Sequence, residues 1–282
     1  MQNHTGELFA ALQRLLPHHL LSRLVGRLAA SQNPSVRDFL IAQAMKRFRI
    51  ELLEAGRENP GDYASFNDFF TRELKADARP IDDDINSVVF PADGAISQLG
   101  AIDGDRLFQA KGHDFSLSQL LAASPADCHD FMHGSFATIY LSPSDYHRVH
   151  MPVDGTLLSV EYIPGKLFSV NDTTTRHIPG LFARNERLVC LFDTPVGKMA
   201  YIMVGAMLVA GIDTVWHGPI APGIRQRLPV PAIPQLAKGD EVGRFRFGST
   251  VIVLFEPGAV QWEPLVSGDQ TRMGLPMAHR AG

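Results

Sequence analysis

Met199-Ala200-Tyr201-Ile202-Met203-Val204-Gly205-Ala206-Met207-Leu208-Val209-Ala210-Gly211-Ile212 is the longest uncharged stretch of the chain. Its 14 residues fall short of the ~20 that a helix needs to cross a bilayer. Gly205 and Gly211 also interrupt it, so the stretch reads as a pair of buried strands. The same texture continues on both sides. Val88–Phe90, Phe136–Tyr140, Leu157–Tyr162, Leu188–Phe192, Met199–Val209 and Thr250–Phe255 are short β-rich runs separated by Gly, Pro and Asp turns. From Val88 onward they predict a mostly antiparallel sheet, built as a sandwich or barrel-like domain.

Before Val88 the pattern is helical. Leu8, Leu12, Leu15 and Leu16 recur at helical spacing, as do Leu20, Leu21, Leu24, Val25 and Leu28 after Pro17. Asn33-Pro34-Ser35 then punctuates, and a third helix carries Phe39, Leu40, Met45 and Phe48. A further short helix is expected over residues 63–74, after a linker at 54–60. The fold class is therefore α+β, with amphipathic helices over residues 1–55 and a β-rich domain over 56–282.

Two readings fit the helical stripes: packing onto the rest of the protein, or an interfacial helix with its apolar side in lipid. Charge bears on the choice. The chain as a whole is −4, which excludes electrostatic nucleic-acid binding. Residues 1–50, however, hold seven Lys/Arg against Glu7 and Asp38, a balance of +5, and the remainder is −9. Such asymmetry points to a segment with its own partner. Cys128 and Cys190 form no disulfide framework, and no signal-peptide pattern is evident.

Familiar catalytic signatures are absent from the sequence: no Gly-x-Ser-x-Gly elbow, no Walker A loop, no Gly-x-Gly-x-x-Gly and no His-Glu-x-x-His. His129 and His133 have the spacing of helical zinc ligands but lack the rest of a ligand set, so no metal is expected. Three places remain. Phe247-Gly248-Ser249-Thr250 enters the strand Val251–Phe255. Read plainly it is a turn; read chemically, Gly248 permits a strained bond whose carbonyl the Ser249 hydroxyl could attack. Next, Tyr146-His147-Arg148-Val149-His150-Met151-Pro152 sets two histidines close together beside a turn, where they could do acid–base work. Finally, Asp93 lies in Pro91-Ala92-Asp93-Gly94, a tight turn echoed by Pro152-Val153-Asp154-Gly155. Asp93 could orient a histidine if the fold brings them together.

Together these stretches, with Phe182-Ala183-Arg184-Asn185-Glu186-Arg187 and Gly243-Arg244-Phe245-Arg246, resemble the bacterial phosphatidylserine decarboxylases over nearly the whole chain. The family's processing site is usually Leu-Gly-Ser-Thr, and Phe247 replaces the Leu here. The resemblance implies a proenzyme that cleaves itself between Gly248 and Ser249 and turns Ser249 into a covalent pyruvoyl group. It implies that Asp93, His150 and Ser249 drive cleavage. A substrate amine condenses with the pyruvoyl ketone, which takes up the electrons left when carbon dioxide departs. His147 would then return a proton to the substrate carbon. Fragments 1–248 and 249–282 would stay associated as the protomer of a homodimer. The enzyme would act on phosphatidylserine in anionic membrane, as a peripheral protein of the cytoplasmic face of the cell membrane.

Three rivals stand beside this reading. A pyruvoyl decarboxylase of a soluble amino acid does not need the basic apolar N-terminus. A serine hydrolase using Ser249, His150 and Asp93 would keep its chain intact. A carrier module would need an exposed hairpin Lys, and Lys198-Met199 after Gly197 matches poorly.

Overall fold

Asn33-Pro34 starts a helix for a clear reason: the Asn33 side chain accepts from the Ser35 and Val36 amides, and Pro34 needs no donor in the first turn. The computed structural model describes residues 16–110, 112–207, 211–246 and 249–282, together with residues 6 and 13. Leu8, Leu12 and Leu15 lie outside the described residues. Helix α1 spans His18–Ala29 and α2 Pro34–Phe48, which ends on Arg49 in the left-handed conformation. Ile41 and Ala44 of α2 bury against Tyr63, Phe66, Phe69 and Phe70. Of the helix expected over 63–74, only α3, Phe66–Phe70, forms, capped by the Ser65 hydroxyl on the Asp68 amide.

The strands follow in chain order: β1 Ser87–Val89, β2 Gly94–Ala101, β3 Arg106–Ala110, β4 His113–Ser116, β5 Ser135–Leu141, β6 Arg148–His150, β7 Gly155–Ile163, β8 Arg187–Thr194 and β9 Gly197–Val204. After them come β10 Ile212–Thr214, β11 Gly218–Pro219, β12 Gln226–Leu228, β13 Gln235–Leu236, β14 Glu241–Phe245, β15 Ser249–Phe255, β16 Val260–Trp262, β17 Gln270–Thr271 and β18 Pro276–Arg280. Short helices α4 Leu117–Leu121, α5 Asp172–His177 and α6 Leu181–Arg184 interrupt them.

Nine strands make one antiparallel sheet in the order β12-β7-β8-β9-β15-β5-β2-β17, with β13 also on β7. The sheet does not close, so the architecture is a layered α+β sandwich and not a barrel. Period-two alternation sorts its side chains. Val251, Val253 and Phe255 of β15 join a core with Val149, Ile212, Val242 and Phe245 from the four-stranded sheet β11-β10-β14-β6. Ile252 and Leu254 face the other way, onto Leu117, Leu120, Ile178, Leu181 and Phe182 of the helical layer. The 14-residue uncharged run does supply two strands, but in different sheets: β9 ends at Val204, and β10 begins at Ile212 in the smaller one.

Helix α1 reverses the usual pattern. Its polar His18 and Ser22 are buried, while Leu20, Leu24 and Leu28 are each about half exposed, at 49–53%. The Leu167 amide donates to His18 Nδ1, and His18 Nε2 lies 2.5 Å from the Gln13 carbonyl. His19 Nε2 donates to the Gly165 carbonyl at 2.9 Å. Polar contacts hold this helix on the body, and its leucine stripe points outward. Among the described residues, no helix is long and apolar enough to cross a membrane.

Candidate active site

Ser249 opens β15 at the centre of the large sheet and is wholly buried. Its Oγ has no hydrogen-bond partner among the described residues. Leaving such a group unsatisfied costs about 1–3 kcal/mol, so a position of this kind marks chemistry better than packing. Register places Ser249 opposite Leu141 of β5. On its other flank Thr250 pairs with Val204, which sets Gly205 beside Ser249. Gly205 in turn donates its amide to the Glu186 carbonyl at 2.9 Å. Beyond Leu141 lies Gly94, since Ala95 pairs with Tyr140. Gly94 has φ +153°, and any Cβ there would strike the Tyr140 carbonyl. Glu186, Gly205, Ser249, Leu141 and Gly94 thus form one row across five strands. Gly248, the expected carbonyl side of the cleaved bond, lies outside the described residues.

His147 lies just before β6 of the smaller sheet. Its carbonyl accepts from the Phe245 amide at 3.0 Å, at the end of β14 that leads to Ser249. The ring is fully buried and stacks on Phe70, with centroids 4.2 Å apart. Nε2 lies 2.9 Å from the Ser142 carbonyl. A carbonyl can only accept, so the proton sits on Nε2 and the lone pair on Nδ1. That Nδ1 is buried without a partner among the described residues. Burial, then the nearby Arg72 charge, pulls the His147 pKa down to about 3. The imidazole is therefore a neutral base at pH 7. Arg72 is itself buried, with Nη1 unpartnered and Nη2 only 3.5 Å from the Ser144 carbonyl.

His150 and Asp93 come close to one another by way of the two Pro-x-Asp-Gly turns. The His150 amide donates to the Pro91 carbonyl at 2.8 Å, and the Val89 amide to the Pro152 carbonyl at 2.9 Å. The echo in the sequence is thus two segments bonded to each other. The side chains, however, are not hydrogen-bonded together. Asp93 is held by Arg79 at 2.5–3.0 Å and by the Met273 amide at 2.9 Å. His150 is oriented instead by the Gly239 carbonyl on Nδ1, at 2.8 Å, and the Tyr146 hydroxyl on Nε2, at 3.2 Å. Burial, mainly, holds its pKa below the usual histidine value. Val149 points into the core, so His150 next to it faces the opposite way. It pairs with Glu241, at the end of β14 remote from Ser249.

Arg79, Tyr146, Arg72 and Glu186 surround the expected residues, and the sequence reading assigned none of them a role. Only Tyr146 and Glu186 lay in stretches that carried a hint, as part of a resemblance. The others become visible only as buried polar groups in contact with the expected ones. His129 sits in a short turn at His129–Phe131, so its spacing to His133 is not helical. Among the described residues no cluster of His, Cys, Asp and Glu could hold a metal ion.

The described residues fit a carbonyl group formed on Ser249. Its side chain is buried and unclaimed, and the buried imidazole of His147 keeps one nitrogen without a partner among the described residues. Comparison with known proteins finds relatives that share one name. The family model described as phosphatidylserine decarboxylase matches residues 66–279, and a second, described as PSD, matches residues 8–49. The chain is 53% identical over 273 residues to a phosphatidylserine decarboxylase proenzyme of Saccharophagus degradans, covering 95% of this chain and 96% of that one. A protein of the same name from Bordetella pertussis is 53% identical over 283 residues, covering 96% and 94%. One from Pseudoalteromonas atlantica is 51% identical over 271 residues, covering 94% and 95%.

Proposed function

The chain belongs to the phosphatidylserine decarboxylase family, and on that premise we propose that it matures by self-cleavage before Ser249 and decarboxylates phosphatidylserine at a membrane surface. The observation that carries this reading is the wholly buried Ser249 hydroxyl, which has no hydrogen-bond partner among the described residues.

Maturation uses the chain's own atoms. Ser249 Oγ attacks the Gly248 carbonyl carbon, the peptide C–N bond breaks, and an ester replaces it. Removal of the Ser249 α-proton then breaks the Cβ–Oγ bond and releases the Gly248 carboxylate. Water displaces ammonia from the dehydroalanine that remains, and a ketone is left. Asp93 and His150 are assigned to this stage by family resemblance. The neutral His150 ring, with Tyr146 on its Nε2, is in the protonation state a base requires.

When formed, the pyruvoyl group supplies an electron sink for the departing carboxylate's electrons. The chain's part in turnover is proton handling. His147, the imidazole with a bare Nδ1, is assigned to return a proton to the substrate carbon after carbon dioxide has left. Arg72 holds positive charge beside it. The products are phosphatidylethanolamine and carbon dioxide. Protein incubated with carboxyl-labelled phosphatidylserine vesicles should release labelled carbon dioxide, and pretreatment with hydroxylamine, which captures ketones, should stop it. Release that survives hydroxylamine would exclude a carbonyl prosthetic group.

The two fragments stay together because the shorter one is woven into the fold. β15 pairs along its length with β5 and β9, β17 pairs with β2, and β18 lies between β1 and β16. The homodimer implied by the family resemblance belongs to the same proposal.

Docking is assigned to α1 and its surroundings. Leu20, Leu24, Leu28 and Phe39 stand exposed, and burying such side chains in lipid is worth about 1.5–3 kcal/mol each at full burial. Nearby basic residues add roughly 1 kcal/mol each toward anionic lipid. Replacing the three leucines with serine should therefore abolish flotation with phosphatidylserine vesicles and leave folding intact. Unchanged flotation would remove the interfacial reading.

A further inference from the structure

His150 has no idle polar atom. Its amide donates to the Pro91 carbonyl at 2.8 Å, and its carbonyl accepts from the Tyr201 hydroxyl at 3.2 Å. Nδ1 lies 2.8 Å from the Gly239 carbonyl, and Nε2 lies 3.2 Å from the Tyr146 hydroxyl. His147 differs, since its Nδ1 is buried without a partner among the described residues.

The two ring contacts of His150 are not equivalent. A carbonyl can only accept, so Nδ1 carries the ring proton and Nε2 the lone pair. The Gly239 carbonyl is itself held in place. Gly239 has φ +89°, its amide donates to the Met151 carbonyl at 2.9 Å, and the Met151 amide donates to the Asp240 carbonyl at 2.8 Å. The turn thus locks the tautomer. On the other nitrogen the Tyr146 hydroxyl donates into the lone pair, and its ring stacks on the imidazole with centroids 5.6 Å apart. Tyr146 is 6% exposed, and His150 is the only hydrogen-bond partner of its hydroxyl among the described residues. A hydroxyl, unlike a carbonyl, can give up one proton while it takes another.

We propose that Tyr146 is a positioning residue of maturation, whose hydroxyl holds the His150 lone pair and passes to it the proton that this base must take up. The proposal rests on the self-cleavage reading above and deepens it. A proton arriving on Tyr146 Oη is matched by the Tyr146 proton moving to His150 Nε2. The phenol ends neutral and the imidazole cationic, while the electron pair left at the Ser249 α-carbon expels the Gly248 carboxylate. Burial, above all, pushes the Tyr146 pKa upward, so the hydroxyl keeps its proton at pH 7. The charges around it are Arg148 of β6, Glu241 and Arg244 of β14, Asp93 of the turn before β2, and Arg72 just past α3. Asp93 is among the charges felt by both Tyr146 and His150. It therefore acts on the pair although it is hydrogen-bonded to neither.

The test follows cleavage of the full chain by gel and by mass. Tyr146→Phe keeps the ring on His150 and removes only the hydroxyl, so its thermal melting should stay near that of the wild type. It should mature ~10²-fold or more slowly, in line with the usual worth of an acid–base group. The stalled chain should hold the ester formed before the α-proton is lost. Hydroxylamine should then split it into a Gly248 hydroxamate and a fragment that begins with intact Ser249. Cleavage at the wild-type rate overturns the proposal, as does a stalled chain that hydroxylamine leaves whole. Tyr146→difluorotyrosine keeps the packing but makes the phenol more acidic. The relay needs a protonated phenol, so the alkaline limb of the cleavage profile should move to lower pH. An unmoved profile also overturns the proposal. Wild-type cleavage and carbon dioxide release, measured alongside, tell failure of this inference from failure of the decarboxylase reading.

Discussion

Ser249→Ala should leave the protein as one uncleaved chain with no measurable decarboxylation. The substitution removes the single atom that can attack the Gly248 carbonyl and the residue that would carry the ketone. Every later step depends on it, so the loss is complete and not graded. The variant should fold at least as well as the wild type. Ser249 Oγ is buried without a partner among the described residues, and exchanging an unsatisfied hydroxyl for a methyl lifts a desolvation cost of about 1–3 kcal/mol. Gel analysis, thermal melting and a carbon dioxide assay check this together. A Ser249→Ala chain that still yields two fragments would place the reaction elsewhere.

The two histidines should separate by stage. His147→Ala should still mature but turn over ~10²–10⁴-fold more slowly, the usual worth of a general acid–base group. His150→Ala should stay largely uncleaved. The geometry makes this a demanding prediction. His147 is bonded at the end of β14 that leads to Ser249, whereas His150 faces the other way and pairs at the far end of β14. At ~3.3 Å per residue, the three-residue step from His147 to His150 amounts to about 10 Å. If His147→Ala is the variant that stays whole, the base for cleavage is His147, and the roles exchange. If His150→Ala cleaves normally, His150 has no part in maturation.

Much of the fold could be read in the residues themselves. The uncharged run broken at Gly205 and Gly211 marked buried strands, and β15 follows the expected Thr250–Phe255 almost residue for residue. The candidate chemistry was legible for the same reason: Gly-Ser-Thr, the His pair and the Pro-x-Asp-Gly turns are local patterns. What escaped is non-local. Alternation tells which side of a strand is buried but not which strand lies next to it, so the row from Glu186 through Gly205 to Ser249 could not be foreseen. The leucine stripe of α1 would look the same whether it faced core or solvent. His18 and Ser22 decide it, through contacts such as that of His18 with Leu167, far away in the chain. Asp93 illustrates the same point. Its turn was evident, but its partner is Arg79, which lies 14 residues earlier in the chain.

Intact mass of the purified wild-type protein tests the central claim most directly. Self-cleavage predicts two species, residues 1–248 with a free carboxylate and residues 249–282, a fragment of 34 residues. The shorter one should be lighter by one ammonia than simple hydrolysis would leave it, resist N-terminal sequencing and gain mass with hydroxylamine. A single species at the full mass of the 282-residue chain after prolonged incubation, with Ser249 unmodified, would contradict the account.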